Sequence, residues 1–337
     1  MKALIIVTAP PSPLDRLLPD GILRLCGVPA LELQIELLRL HGVQEILLML
    51  GHGNTTVAHY FGNGRRFGVR MASLCSAAAI PTAGDLHAIH GFLDDSVLLL
   101  SGNVLVAGNL HDLHDEHHRH RAEATIALSG ATGHCVDGDL MAIEPAALQE
   151  LPAATCMTGS QTLATALADN GCRVHRARLA LDQQSITTPA RYLEAHWRCL
   201  HGEWPDLDHG LYQRAPGLYC GINVSIDPRR CEIEGPVRID GGARIEDGAS
   251  LIGPCHIGAG VVIETGASIE RSIVLPRVRV SGHAHLCEAM TDANHCLLAD
   301  GSTIDLARAD LSWLIGDCRQ ALGTRAASEQ RFLDHVG

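Results

Sequence analysis

Aromatic side chains are scarce in this chain of 337 residues, at 3% of the sequence, so a core of stacked rings is excluded. The 46% apolar content must come from Ile, Val, Leu and Ala, which suits parallel sheets and regular β-solenoids better than aromatic-rich sandwiches. Basic runs are absent too. With a formal net charge of −12 and no Lys/Arg-rich stretch, most of the surface repels a polyanion, which argues against a nucleic-acid partner. No apolar run approaches the ~20 residues that span a bilayer, so no membrane association is expected; the longest runs are strand-sized, such as SVLLLSG at 96–102. The twelve cysteines contain no C-x-x-C pair, and the N-terminus MKALIIVTAPP has neither the charge pattern nor the cleavage site of a signal peptide. The sequence therefore reads as a soluble protein of the reducing cytoplasm, not as a disulfide framework.

The length favours two domains. Short apolar runs at 3–8, 45–50, 69–74, 96–101 and 124–128 are patterned as strands buried on both faces, and helical periodicity lies between them. The clearest helix is PALELQIELLRLHG, with Pro29 in its first turn, Leu33, Leu37 and Leu40 on one face, and Gly42 as its stop. Alternating strands and helices predict a mostly parallel, helix-covered sheet over 1–200, whose ligands would sit at the carboxyl ends of the strands. From about 217 the pattern changes. Ile233, Ile239, Ile245, Leu251, Ile257, Ile263, Ile269 and Leu275 recur every six residues, with Val237, Ala243, Ala249, Cys255, Val261 and Ala267 in a second register. This hexapeptide repeat predicts a left-handed parallel β-helix over 217–305, with aliphatic residues inward and small ones at the corners. Residues 201–216, rich in Pro, Gly and Asp, read as a linker, and 306–337 as a C-terminal capping or docking segment, helical in pattern.

The segments MKALIIV, GVPALELQIELLRLHGVQEILLMLGH (27–52), YFGNGRRFGVR (60–70), PTAGDL (81–86), FLDDSVLLLSGN (92–103), EATIAL (123–128) and TTPARYLEAH (187–196), followed by the hexapeptides, resemble the sugar-nucleotidyltransferases. The mannose-1-phosphate guanylyltransferase and glucose-1-phosphate nucleotidyltransferase branches are the nearest in pattern. The resemblance covers nearly the whole chain and implies a Rossmann-like, GT-A-type α/β domain before the β-helix. It also implies a reaction: a sugar 1-phosphate attacks the α-phosphorus of a nucleoside triphosphate and displaces pyrophosphate. That chemistry depends on charge neutralisation, which the family supplies with a Gly-rich G-x-G-T-R loop, a P-K lysine and two aspartates that carry Mg²⁺.

On this sequence the glycine loop falls on TAPPSPLDR, where Pro10, Pro11 and Pro13 replace glycines and remove amide donors. The P-K pair becomes Pro19 and Asp20, an anion in place of a cation. The first metal aspartate becomes Asn103, after Gly102, and the second becomes Ser185; an amide is a weak Mg²⁺ ligand. The glycine of the base-reading L-G-T-A-G turn becomes Pro81, and the E-K-P sugar-binding region between EATIAL and GDLMAIEP is largely deleted. Candidates for ligand binding are Thr8, Arg16, Thr82, Gly84, Gly102, Asn103 and Asp182, although Arg16 and Asp182 read first as surface charges. All the losses fall on ligand-facing positions. The sequence thus predicts a homologue without transfer activity, which acts as a nucleotide-sugar sensor or as a regulatory or assembly partner of an active relative, self-associating through its β-helix and using no cofactor. The alternative is an active enzyme with a rearranged site, which would need Mg²⁺ and replacement carboxylates, Asp182 first and then Asp85, Asp94 or Asp95. A third reading, a hexapeptide acyltransferase, would use His283, His285 or His295 as base. The tract HDLHDEHHRH brings His111, His114 and His118 near one helix face, which the sequence assigns to an exposed polar surface with no resident metal.

Overall fold

The computed structural model describes residues 2–8, 12–18, 22–87, 95–129, 137–204 and 211–319. Two compact units share the chain: Met1–Ser12, Leu18–Arg24 and Val28–Thr187 form the first, and Pro13–Leu17, Leu25–Gly27 and Thr188–Gly337 the second.

The first unit is a mixed, parallel-rich α/β domain. Its strands are β1 (Lys2–Val7), β2 (Glu45–Leu50), β3 (Arg70–Cys75), β4 (Val97–Ser101), β5 (Val104–Ala107), β6 (Ala124–Ser129), β7 (Asp137–Ile143), β8 (Val174–Leu179) and β9 (Asp182–Ser185). Seven of them make one sheet in the order β8-β6-β7-β4-β1-β2-β3, parallel except for β7, which runs against both its neighbours. The five apolar runs of the sequence fall on β1, β2, β3, β4 and β6 within about a residue. Alternation within β1 explains the layers: Ala3, Ile5 and Val7 pack on one face with Ile35 and Leu38, while Leu4 and Ile6 pack on the other with Leu86, Leu148 and Leu163. The covering helices are α1 (Ala30–Leu40), α2 (Thr55–Phe61), α3 (Ala83–His87), α4 (Leu110–His120), α5 (Pro145–Glu150) and α6 (Ser160–Asp169). Strands β5 and β9 form a separate antiparallel pair.

The division between units falls at Thr187 and Thr188, ahead of the expected boundary at 200. Helix α7 (Pro189–Leu200) belongs to the second unit, where its buried His196 hydrogen-bonds His256, Nε2 to Nδ1, at 2.9 Å. The second unit is strand-rich, with three ladders. Val237 pairs with Cys255, Glu232 with Ser250 and Arg244 with Val262, so each ladder advances by 18 residues, or three hexapeptides. Ile239, Ala243, Ala249, Leu251, Ile257, Ile263 and Ile269 are fully buried along it. The repeat fades near Leu275 for a local reason. Ile257 pairs with Val274, Ile263 with Val280 and Ile269 with Leu286, a step of 17, so Val274 is buried where Leu275 was expected. Parallel pairing ends at Ala289–Thr291; His295–Leu298 and Thr303–Asp305 then run antiparallel, and Ile315–Asp317 returns against Val278–Val280. Within 306–319 the chain forms turns and this strand, with no helix. Tyr212–Ala215, in the expected linker, is a strand paired antiparallel with Leu218–Cys220. No helix among the described residues is long and apolar enough to cross a membrane.

Candidate functional site

The carboxyl ends of β1, β2 and β4 are where a sheet of this kind holds ligands. Here the polar groups are turned inward. Gly102 gives its amide to the Ile6 carbonyl at 2.7 Å, and the Asn103 side-chain Nδ2 donates to the Thr8 carbonyl at 2.7 Å. Gly51 gives its amide to the Val7 carbonyl at 3.1 Å. Gly102 has no room for a side chain, because a Cβ would lie 2.9 Å from Val7 Cγ2 and 3.2 Å from the Ile6 oxygen. Beside these groups opens a small pocket of about 30 Å³ lined by Val7, Ile22, Leu23, Ala30, Leu31, Val57, Phe61, Gly102 and Asn103. No charged residue is among them.

Asn103 and Ser185 are brought side by side. Ser185 pairs with Val104 in the β5–β9 ladder, and the Ile186 amide donates to the Asn103 carbonyl at 2.9 Å. The Ser185 hydroxyl lies 3.0 Å from that of Thr187. A neutral amide already donating to backbone and a hydroxyl tied to its neighbour do not fit a Mg²⁺ ion, which asks for carboxylate oxygen in octahedral array. Asp182 opposes Ala107 at the far end of the same ladder, three residues from Ser185, or roughly 10 Å along the strand. Asp182 and Ser185 therefore occupy opposite ends of the ladder.

The PTAGDL turn is likewise closed. Its amides at Ala83 and Gly84 donate to the carbonyls of Thr155 and Ala153, each at 2.9 Å, and Met157 donates to Pro81 at 2.8 Å. A Cβ on Gly84 would meet the Ala153 oxygen at 3.0 Å, so this glycine serves close packing. Asp85 accepts from the Thr82 amide at 2.8 Å and hydroxyl at 3.2 Å, capping α3. Asp95 accepts from the Ser96 amide at 2.8 Å. Arg16 is exposed in the short 3₁₀ turn Pro13–Arg16, which belongs to the second unit. Pro10, Pro11, Pro19, Asp20 and Asp94 lie outside the described residues.

Two features escaped the sequence reading. Lys2 is the chain's only lysine, and it pairs with Glu45 at 3.0 Å at the amino-terminal end of β1. That end is one strand length from Thr8. Asp139, on β7, follows the register that sets Leu140 against Leu100, which puts it next to the carboxyl end of β4. Burial pushes its carboxyl up against the opposing effect of the Ser160 amide. Nothing in the spacing of GDLMAIEP marks Asp139; only the antiparallel pairing does.

The histidines separate. His111 lies beside His41, with ring centroids 5.4 Å apart, whereas the Nε2 atoms of His114 and His118 are 3.1 Å apart. His117 is the buried member of the tract, bonded to Thr125 Oγ1 at 2.8 Å and Glu144 Oε1 at 3.0 Å. His283 lies beside Trp313, His285 beside Glu270 and His295 beside Asp292, so these three do not converge. Every described cysteine is a free thiol. In the second unit the His196–His256 pair continues to Asp240, which His256 Nε2 meets at 2.9 Å and Arg238 Nε at 2.9 Å. Burial raises the Asp240 carboxyl, but the hydrogen bond and charge of His256 and the charge of Arg238 outweigh it and bring the carboxyl to about 2. The Cys26 amide completes the chain, 3.3 Å from His196 Nε2. The Cys26 thiol is held well below its ordinary range by a hydrogen bond from Cys199, and His196 and His256 act in the same direction against burial.

No family model matches the chain. A UTP–glucose-1-phosphate uridylyltransferase of Synechocystis is 27% identical over 367 residues, spanning 95% of this chain and 95% of the relative. This similarity supports the sugar-nucleotidyltransferase family. Similar solved structures include a Bacillus anthracis protein described as a glucose-1-phosphate thymidylyltransferase, in complex with sucrose, and HddC from Yersinia pseudotuberculosis. Each has a TM-score of 0.48 and 12% identity over 58% of this chain, covering 94% and 97% of the other. The alignment to the Synechocystis sugar-nucleotidyltransferase, at 367 residues, is longer than the 337 residues present here, so the relative carries residues where this chain has gaps.

Proposed function

We propose that this sugar-nucleotidyltransferase homologue has lost nucleotidyl transfer and acts by binding, as a nucleotide-sugar sensor or as a regulatory or assembly partner in nucleotide-sugar or cell-envelope polysaccharide metabolism. The observation that carries the reading is the closure at the ends of β1 and β4: Gly102 and Asn103 spend their donors on Ile6 and Thr8, and the pocket beside them is apolar. Transfer would bring a triphosphate and a sugar phosphate together and build charge on the departing pyrophosphate. Losing one stabiliser of such charge commonly costs ~10²- to 10³-fold in rate. Amide cradle, lysine and both metal carboxylates are missing together in this reading, and even with non-additive effects the remainder is too little. In the same proposal the three ladders of the second unit form a left-handed β-helix, and the protein self-associates through it.

A second reading is favoured by one residue and one relative. Asp139, half-buried beside the end of β4, together with Asp182, would supply carboxylates for the reaction that the Synechocystis protein's name describes, in which UTP and glucose 1-phosphate give UDP-glucose and pyrophosphate. The experiment is pyrophosphate release from each nucleoside triphosphate with glucose, mannose or N-acetylglucosamine 1-phosphate, in Mg²⁺ or Mn²⁺. The proposal expects no release above the protein-free blank. Release that disappears in Asp139→Asn or Asp182→Asn would establish the second reading instead.

A further inference from the structure

We propose that the first unit carries a binding site for one zinc-class divalent cation, held by Glu116 and His120 of α4 and by His175 of β8. It lies outside the strand-end site and does not depend on the function proposed for it. Ligand atoms of the three side chains all lie within 4.8 Å of one another. Both imidazoles address one carboxylate oxygen: His120 Nε2 is 3.1 Å from Glu116 Oε1 and His175 Nε2 is 3.8 Å from it. The two rings are nearly parallel, with centroids 3.9 Å apart and an interplanar angle of 18°, so their Nε2 edges point the same way. His175 Nε2 is buried and makes no hydrogen bond. A buried ring nitrogen aimed at a carboxylate and a second imidazole, with no hydrogen bond of its own, is a lone pair positioned for a cation.

Sequence and fold explain the convergence. Glu116 and His120 stand four residues apart on α4 and so share a face. β8 is the edge strand of the sheet, α4 packs against it, and His175 is the strand residue that reaches the same place. Two ligands are thus prearranged by one helix and the third by the strand beneath it. The remaining oxygen of Glu116 is held by Arg119 Nη1, which fixes the carboxylate's orientation while leaving Oε1 to the imidazoles.

The donor set decides the class of ion. Two imidazole nitrogens and one carboxylate oxygen suit zinc, nickel or copper, whereas Mg²⁺ and Ca²⁺ prefer all-oxygen sites. Three protein ligands leave the fourth tetrahedral position to water. Zinc–ligand bonds of about 2.0–2.2 Å require the three side chains to close in by torsion, which their partial exposure permits: 22% for Glu116, 45% for His120 and 29% for His175. The pair His114 and His118 is a separate, two-ligand contact. The site therefore differs from the trio His111, His114 and His118, which the sequence assigns to an exposed polar surface.

The test uses the full chain, stripped with chelator, titrated with Zn²⁺ against a chromophoric competitor and separately with Co²⁺, whose visible absorption reports coordination. The expected result is one ion per chain, a tetrahedral cobalt spectrum, a rise of several degrees in Tm with saturating Zn²⁺, and no response to Mg²⁺. His175→Gln and Glu116→Gln should each weaken binding at least about tenfold, while the double variant His114→Gln, His118→Gln should bind as the parent does. Equal affinity in parent, His175→Gln and Glu116→Gln would overturn the site and mark the ion as adventitious. Binding lost only in the His114, His118 double variant would overturn it as well. If His175→Gln fails to fold, Glu116→Gln decides alone.

Discussion

The strand ends of the first unit and the base of α7 in the second invest their polar chemistry in opposite ways. At the ends of β1 and β4, where the proposal puts the lost site, Gly102 and Asn103 are neutral groups hydrogen-bonded to the backbone of β1 and Thr8, beside a pocket lined by no charged residue. At α7 a buried guanidinium and two buried imidazoles are linked through a half-buried carboxylate, Arg238 to Asp240 to His256 to His196. Perturbed ionisable groups are often taken as markers of an active site, yet ion-pair networks that serve structure perturb them too. Here the network lies in the strand-rich second unit, and the pocket at the strand ends of the first is lined by no charged residue.

The comparison breaks most readily at Asp240. Removing one member of a buried, hydrogen-bonded charge set leaves the others uncompensated, so Asp240→Ala should lose about 3–5 kcal/mol in urea unfolding. Asn103→Ala, which deletes one neutral hydrogen bond to Thr8, should lose only about 1–2 kcal/mol. If the two losses are equal, the contrast between the regions is wrong.

Acid should separate the groups by pH. Burial depresses His196, with Cys26 opposing, and burial depresses His117 in the first unit, with Glu144 opposing. A histidine whose folded pKa is lowered contributes stability above its unfolded value near 6.5 and loses it as pH falls below that value. Asp240, depressed to about 2, contributes above the unfolded value near 3.8 and loses its share as pH falls from there towards 2. The unfolding midpoint should therefore decline first between pH 7 and 5 and again below 4. His196→Gln should flatten the first decline, and Asp240→Asn the second. A midpoint independent of pH between 7 and 5 would contradict the buried neutral histidines.

Sharper tests sit at the strand ends themselves. Gly102→Ala forces a methyl against Val7 and Ile6 and should cost about 1–3 kcal/mol, read from the same unfolding curves. Asn103→Asp replaces a donor to the Thr8 carbonyl with an acceptor. It should destabilise by about 1–3 kcal/mol and, on the proposed loss of both metal carboxylates, gain no transfer activity. The smallest expected effect on stability belongs to the exposed apolar residues of the second unit. Tyr212 is 65% and Ile222 66% exposed, so Tyr212→Ser with Ile222→Glu should change unfolding by no more than ~0.5 kcal/mol. The same pair should shift sedimentation towards monomer if self-association uses this surface.

Much of this was legible in the chain before its structure. The strands β1, β2, β3, β4 and β6 are continuous apolar runs, and a parallel sheet buried on both faces writes that signal directly. Ile239, Ile257 and Ile263 announced the ladders because six-residue spacing repeats a geometric constraint. What was illegible depends on register or on tertiary partners. Val274 replaces Leu275 because one coil is a residue short, which a strict period hides. The placement of α7 brings His196 to His256, a contact 60 residues apart in sequence. Asn103 was singled out from the sequence, but that it would donate to the Thr8 carbonyl was not legible there. Asp139 became visible only through the antiparallel pairing of β7.

Pyrophosphorolysis tests the central claim most directly, because the reverse reaction needs the same charge-stabilising site and its product is read against a near-zero background. UDP-glucose and radiolabelled pyrophosphate are incubated with the full chain and Mg²⁺, and labelled UTP is sought by chromatography, with GDP-mannose and dTDP-glucose in parallel. The account expects no labelled nucleoside triphosphate above the protein-free blank, from the parent or from Asn103→Asp. Labelled UTP formed by the parent and lost in Asp139→Asn would contradict it.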